Sequence, residues 1–161
     1  MHLARFPRVK ICHAPTPLEF MPNLTKLLGG PRLWIKRDDC TGLATGGNKN
    51  RKLEFLVGEA LAEGADTLVT QGAVQSNHVR QTAAAAAKFG LKCVGLLGHR
   101  ISTNDPDYLD SGNVLLDRLM GLRIEYRSAD TDMQAAIEEM GERLRREGAK
   151  PYLIPGGGST P

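Results

Sequence analysis

An α/β fold, a small open parallel sheet with helices on both faces, is predicted by three observations. From Arg51 onward, stretches with helical apolar spacing alternate with short apolar runs, the pattern of a parallel sheet covered on both sides. The 18 glycines are more than average composition supplies, and in this region they fall where the helical stretches end. A chain of 161 residues with 41% hydrophobic side chains is long enough for a core without disulfides, since a domain of this size buries roughly 70% of the surface its unfolded chain exposes.

The elements follow in order. Leu53, Leu56, Val57, Ala60 and Leu61 fall at i, i+3, i+4, i+7 and i+8, one face of a helix that Gly64 ends in the left-handed conformation. Thr67 to Val69 is a buried strand. Asn77 to Phe89 contains the unbroken row Ala83 to Ala87, strong helix formers, and stops at Gly90. Cys93, Val94, Leu96 and Leu97 form the next strand. A third helix from Asp110 or Ser111 is expected to bury Val114, Leu115, Leu119 and Met120 and to stop at Gly121. Leu122 to Tyr126 is a third strand. The helix from Asp132 to Glu147 carries Met133, Ala136, Ile137, Met140 and Leu144 on one side and Glu138, Glu139, Arg143, Arg145 and Arg146 on the other. Gly148 closes it, and Pro151 to Ile154 is the last strand.

Residues 1–50 read as an arm, residues 51–154 as the α/β unit, and residues 155–161, PGGGSTP, as a loop. In the arm, Pro15, Pro17 and Pro22 break the chain, Pro22 to Leu28 is a short helix with proline in its first turn, and Arg32 to Arg37 alternates like a strand.

Composition excludes several classes. Twenty-one Lys and Arg against 18 Asp and Glu give a net charge of +3, spread along the chain. With only 5% aromatic residues to stack on bases, nucleic acid is not an expected partner. No apolar run approaches the ~20 residues needed to span a bilayer, and the start MHLARFPRVK lacks the apolar stretch of a signal peptide, so the expected location is the cytoplasm and no membrane partner is expected. Cys12, Cys40 and Cys93 are widely separated and have no metal-ligand spacing, so they are read as packing residues and no metal is expected.

Two stretches carry the chemistry. In Lys36 to Lys52, Gly42, Gly47 and Lys49 nearly spell a phosphate-binding P-loop, but Asn48 displaces the lysine and no hydroxyl residue follows it. What remains is a lysine at the mouth of a helix. Neighbouring Arg51 and Lys52 and the positive helix terminus all disfavour its ammonium form, which suits an amine that attacks a carbonyl. The alternative is a solvated first-turn lysine after a tight turn. Asp38 and Asp39, adjacent in what reads as a strand, point to opposite faces and are assigned structural roles. The second stretch, Gln71 to Arg80, leaves a strand and enters a helix, the edge where open α/β sheets bind ligands. Ser76 or Asn77 can cap that helix, and its free N–H groups can hold a carboxylate. A cap needs one polar residue, whereas Gln75, Ser76, Asn77 and His78 supply four in a row.

Thr-Gly-Gly-Asn-Lys-x-Arg-Lys-Leu-Glu, from Thr45 to Glu54, followed by Gln75-Ser76-Asn77-His78, resembles the pyridoxal-phosphate enzymes of the D-cysteine desulfhydrase and aminocyclopropane-carboxylate deaminase family. Pro15-Thr16-Pro17-Leu18, Lys36 to Asp39 and Pro155 to Ser159 belong to the same resemblance. Within the family, Asp39 to Ala44 and His78-Val79-Arg80 match the L-cysteate sulfo-lyases most nearly.

The resemblance implies pyridoxal 5'-phosphate as cofactor and a tryptophan-synthase-β-like fold, in which the arm belongs to a larger domain mostly absent from a chain half the family's length. It implies that Lys49 carries the cofactor as a Schiff base and then acts as base, that Asn77 meets the cofactor's ring hydroxyl, and that Ser76 with the N–H groups of Asn77 and His78 binds the substrate carboxylate. It also gives Ser76 a share in proton transfer. The implied reaction is β-elimination from a small anionic amino acid, most nearly L-cysteate to pyruvate, sulfite and ammonium, by an enzyme that is a dimer at full length. D-cysteine and aminocyclopropane carboxylate are the alternative substrates, and a non-catalytic α/β ligand-binding module is the alternative of another class. His78, Arg80, His99 and Arg100 are the cations available to a sulfonate. Asn50 stands where relatives commonly have Thr. The missing half would carry the phosphate loop, so the chain alone is expected to bind the cofactor poorly.

Overall fold

A computed structural model describes residues 2–159. Its arm contains a helical turn at Leu3–Arg5, strand β1 (Leu18–Phe20), helix α1 (Pro22–Leu28) and strand β2 (Trp34–Lys36), followed by short helical turns at Asp38–Thr41 and Leu43–Thr45. The remainder runs α2 (Lys49–Ala62), β3 (Thr67–Ala73), α3 (Asn77–Lys88), β4 (Lys92–Gly98), α4 (Pro106–Asp110), α5 (Gly112–Leu119), β5 (Arg123–Arg127), α6 (Met133–Arg146) and β6 (Pro151–Ile154), and ends in a turn at Gly156–Gly158.

β3 to β6 form one parallel sheet in the order β5-β4-β3-β6, while β1 and β2 pair antiparallel by themselves. Side chains alternate across the parallel sheet, as the period of a strand requires. Leu68, Cys93, Leu97 and Ile154 pack with Leu53, Leu56, Val57, Val79, Ala83 and Val114, joining β3, β4 and β6 to α2, α3 and α5. Val69, Val94 and Leu96 face the other way, onto Ala136, Ile137, Met140 and Leu144 of α6. Helices thus cover both faces, as expected. Caps fix where they start: Ser76 Oγ accepts the N–H of Val79 at 3.3 Å, and Asp132 Oδ1 accepts those of Gln134 and Ala135 at 2.9 and 3.1 Å.

Three expectations need correction. β3 extends four residues past the apolar run, because Thr70 and Gln71 are buried polar residues; Thr70 Oγ1 donates to Ile154 O at 3.1 Å on the neighbouring strand. The third helix starts after Ser111 as expected, as α5, with a further short helix α4 before it, but α5 buries Val114 and Asp117 while Leu115 and Leu119 are 48% and 73% exposed. Asp38 and Asp39 sit on a helical turn, not in a strand; Asp38 pairs with Arg51 and Asp39 with Arg37.

The arm lies on α2 through Ile11, which joins the apolar core, and through polar contacts. Glu54, 3% exposed, accepts the N–H groups of Ile11 and Cys12 at 3.0 and 2.8 Å and pairs with Arg8. Burial pushes its carboxyl up, but the Cys12 N–H, the Arg8 guanidinium and the Ile11 N–H outweigh that and hold it below the usual carboxylate range. Gly58 permits the close approach, since a Cβ there would come 2.7 Å from the Pro7 and Arg8 backbone. Among the described residues, no helix is long and apolar enough to cross a membrane, and no cluster of His, Cys, Asp and Glu could hold a metal.

Candidate active site

The chain runs from β3 through β4 to β5 on one side of the sheet and returns with β6 on the other side of β3. The strand order reverses at β3, with β4 on one side and β6 on the other, and the crevice at the carboxyl ends of β3 and β6 is the place where open α/β sheets bind ligands. Gln75 to His78 leave β3, and Gly156–Gly158 follow β6. The two connections meet: a Cβ on Gly158 would come 3.2 Å from His78 Cε1 and 3.1 Å from Leu56 Cδ1. Lys49, the first residue of α2, enters the same crevice, and a Cβ on Gly157 would lie 3.6 Å from its Nζ. Gly157 has φ of 74°, so the turn disfavours a side chain there by its conformation and leaves room beside the amine. Lys52 Nζ ties the turn to α2 by donating to Ser159 Oγ at 2.7 Å and Gly157 O at 3.3 Å.

Ser76 uses one lone pair to cap α3, which leaves its hydroxyl hydrogen available. The N–H groups of Asn77 and His78 have no partner among the described residues, as first-turn donors do not. Three donors thus converge at the positive end of α3, an arrangement suited to a carboxylate. Asn77 Nδ2 donates to Asn48 Oδ1 at 3.2 Å, joining this donor set to the residue before Lys49. The structure therefore brings Lys49, Ser76, Asn77 and His78 into one crevice.

The His78 side chain has a different place from its backbone. It is 3% exposed, and its Nε2 lies 2.8 Å from Thr70 Oγ1. Because the Thr70 hydroxyl donates to Ile154 O, Nε2 carries the ring hydrogen and Nδ1 is left as a bare acceptor, with no partner among the described residues. Burial first, then the charges of Lys49 and Lys52, push the imidazole down to about 4. His78 is therefore neutral at neutral pH and is not a cation for a sulfonate. Arg80 is also committed: Nη2 donates to Gly46 O at 2.8 Å and Nη1 to Asn113 Oδ1 at 2.7 Å. His99 packs beside Tyr126 with ring centres 5.1 Å apart, and Arg100 is exposed beyond β4.

The turn before Lys49 is held by residues the sequence did not single out. Thr41 Oγ1 accepts the Gly47 N–H at 2.8 Å and Asn50 Nδ2 at 3.2 Å. Gln81, fully buried, accepts the Asn50 N–H at 2.9 Å and donates to Asn77 O at 3.0 Å, so one carboxamide spans both site segments. A Cβ on Gly46 would overlap Asp39 O, and one on Gly47 would overlap the Gln81 carboxamide. Arg51, expected beside Lys49, instead donates to Asp38 Oδ1 and Thr16 Oγ1, each at 2.7 Å. The only signal for Gln81 in the sequence was a polar residue one helical turn after Asn77 on an otherwise apolar face.

The profile of the family described as "Pyridoxal-phosphate dependent enzyme" matches residues 9–161. The chain belongs to the pyridoxal-phosphate-dependent enzyme family. Two relatives in this family are D-cysteine desulfhydrases from Salmonella paratyphi B and Salmonella newport, each 55% identical over 159 residues. The alignment covers 99% of this chain and 48% of each relative, so the chain spans about half the length of the curated relatives it matches. A crystal structure of an aminocyclopropane-carboxylate deaminase homologue superposes with a TM-score of 0.88 at 44% identity, over 98% of this chain and 47% of that one. A hydrogen sulfide-producing enzyme from Fusobacterium nucleatum shares the fold, with a TM-score of 0.60 at 22% identity, over 89% of this chain and 43% of that one. The crevice fits the family's cofactor on this chain's side. It offers an amine with no competing partner among the described residues, a glycine turn beside it, and a hydroxyl and an amide on the adjoining segment.

Proposed function

We propose that this chain supplies the cofactor lysine and the carboxylate-binding segment of a pyridoxal-phosphate-dependent lyase that removes the sulfur substituent from a cysteine-like amino acid, with D-cysteine as the first substrate. The observation that carries the reading is the convergence of Lys49 Nζ, the Gly156–Gly158 turn and the donor end of α3 in the crevice between β3 and β6. Identity of 55% to D-cysteine desulfhydrases supports the substrate. L-cysteate, suggested by Asp39 to Ala44 and by His78-Val79-Arg80, is the competing substrate. Neutral His78 and tied Arg80 leave that sulfonate fewer cations than the sequence offers.

Each residue has a defined task. Lys49 Nζ would hold the cofactor covalently and, as a free amine, would take the substrate's α-proton. The cofactor, when bound, would supply an acceptor for the electron pair left at the substrate's α-carbon. Ser76 Oγ–H and the N–H groups of Asn77 and His78 would bind the substrate carboxylate and orient the α-carbon, and the Asn77 amide would help to hold the cofactor.

The test, on the full-length protein, is reduction with borohydride after incubation with pyridoxal phosphate, followed by peptide mapping and product analysis. A stable adduct on Lys49, absent from Lys49→Ala, and sulfide release from D-cysteine are expected. An adduct on other lysines alone would overturn the reading, and sulfite from L-cysteate without sulfide from D-cysteine would reverse the substrate order.

A further inference from the structure

The turn that carries Lys49 contains two consecutive glycines, Gly46 and Gly47, with φ of 74° and 137°. Such a turn has little stiffness of its own, so the position of the lysine depends on what holds the turn from outside. On the outer side the holder is Arg80. Its guanidinium is forked between two acceptors on different elements, Gly46 O at 2.8 Å and Asn113 Oδ1 at 2.7 Å. Asn113, at the start of α5, in turn grips the segment before Ser76: its N–H donates to Gln75 Oε1 at 2.8 Å and its Nδ2 to Gln75 O at 3.0 Å. Gln75 Nε2 donates back to Tyr108 O at 2.6 Å and Ser111 O at 3.0 Å. A continuous polar chain therefore runs from the lysine turn through Arg80 and Asn113 to the carboxylate-binding segment, in addition to the link made by the Gln81 carboxamide.

We propose that Arg80 is a positioning residue that fixes Lys49 relative to Ser76 and Asn77 by tying Gly46 O to Asn113, so that the lysine turn and the donor end of α3 move as one body. This rests on the function proposed for Lys49. The geometry needs a fork: the two acceptors lie on separate elements, and a planar guanidinium reaches both, whereas a lysine ammonium on a single stem reaches one. The arginine is half-buried, and its Nε is buried and lacks a partner among the described residues. Burial lowers its proton affinity while the charge of Asp117 raises it.

Two readouts on the purified protein separate this inference from the proposed function. The first is amide hydrogen exchange, which needs no cofactor. Arg80→Ala is expected to speed exchange of residues 46–50 at least tenfold and leave residues 92–98 of β4 unchanged. The second is the rate of pyridoxal-phosphate attachment at Lys49, trapped by borohydride and measured against exposed Lys88 in the same sample. That ratio is expected to fall at least fivefold in Arg80→Ala and in Asn113→Ala. Arg80→Lys is expected not to recover it, and Asn113→Ala is expected to have no further effect in the Arg80→Ala background.

Wild-type exchange and a wild-type Lys49-to-Lys88 ratio in Arg80→Ala would overturn the inference, as would full rescue by Arg80→Lys. If Arg80→Ala does not fold, Asn113→Ala decides, and a wild-type ratio there overturns it. If wild-type protein shows no attachment at Lys49, the proposed function fails, and the exchange readout alone decides whether Arg80 holds the turn.

Discussion

In the arm, Leu18, Leu27, Leu28, Trp34 and Ile35 are exposed, and every residue of β1 and β2 is open to solvent. In the four-stranded unit, Leu53, Leu68, Leu96, Leu97, Ile137 and Ile154 are essentially inaccessible. One part is built around an apolar core, and the other joins it through Ile11, Val9 and Leu43 and through the charged and polar groups around Glu54. The unit buries two carboxylates, Glu54 on α2 against the arm and Asp117 on α5, and the two are treated differently. Glu54 accepts four hydrogen bonds, from Arg8 Nε and Nη2 and from the N–H groups of Ile11 and Cys12, whereas Asp117, fully buried, has no partner on either oxygen among the described residues. The difference teaches where each part is vulnerable: the unit to loss of volume and to its own unpaired acid, the arm to loss of a few hydrogen bonds.

The largest expected effect breaks the unit. Leu97→Ala removes a fully buried side chain between β4 and the α2, α3 and α5 layer, and should cost about 2–5 kcal/mol in a denaturant titration. A loss under 1 kcal/mol would mean that this layer repacks freely.

Next is Asp117, whose carboxyl burial pushes up to about 7, with Arg80 pulling the other way. Because the folded value is raised, the contribution is fully present below the ordinary carboxylate value of about 4 and is lost as pH rises through about 7. The loss is at most about 4 kcal/mol, from roughly three pKa units at 1.36 kcal/mol each. Wild-type protein should melt at lower temperature at pH 8 than at pH 5 by more than Asp117→Asn does. Equal slopes in the two proteins would remove Asp117 as the cause.

The smallest effect concerns the arm. Glu54→Gln replaces a carboxylate that accepts four hydrogen bonds, and should cost about 1.5–3 kcal/mol. The cost should be confined to the arm, seen as faster amide exchange at residues 9–12 with the β3 and β4 amides unchanged. Exchange that rises equally in both parts would show that the arm and the unit unfold together.

Much of the unit was legible in the sequence because its elements are local. The run Pro151 to Ile154 is the strand as read, and α6 buries Ala136, Ile137, Met140 and Leu144 as its spacing requires. Lys49 and Ser76 to His78 stood out because each site segment is continuous in the chain. What escaped depends on partners far away in sequence. Leu18 to Phe20 form a strand only because Trp34 to Lys36 lie beside them. Thr70, Gln81 and Arg80 acquire their roles through residues 8 to 84 positions distant. Asp117 looked like one more polar residue on a helix, and periodicity alone does not reveal that α5 turns it inward.

The sheet order has a consequence for synthesis. β6 is the last of these four strands to be made, yet it lies beside β3, the first of them. Until Pro151 to Ile154 can pair, Thr67 to Thr70 form an open edge with bare N–H and C=O groups, ready to pair with another nascent chain. The same strand carries the glycine turn that lies beside Lys49, so the pairing that closes the edge also brings that turn to the amine.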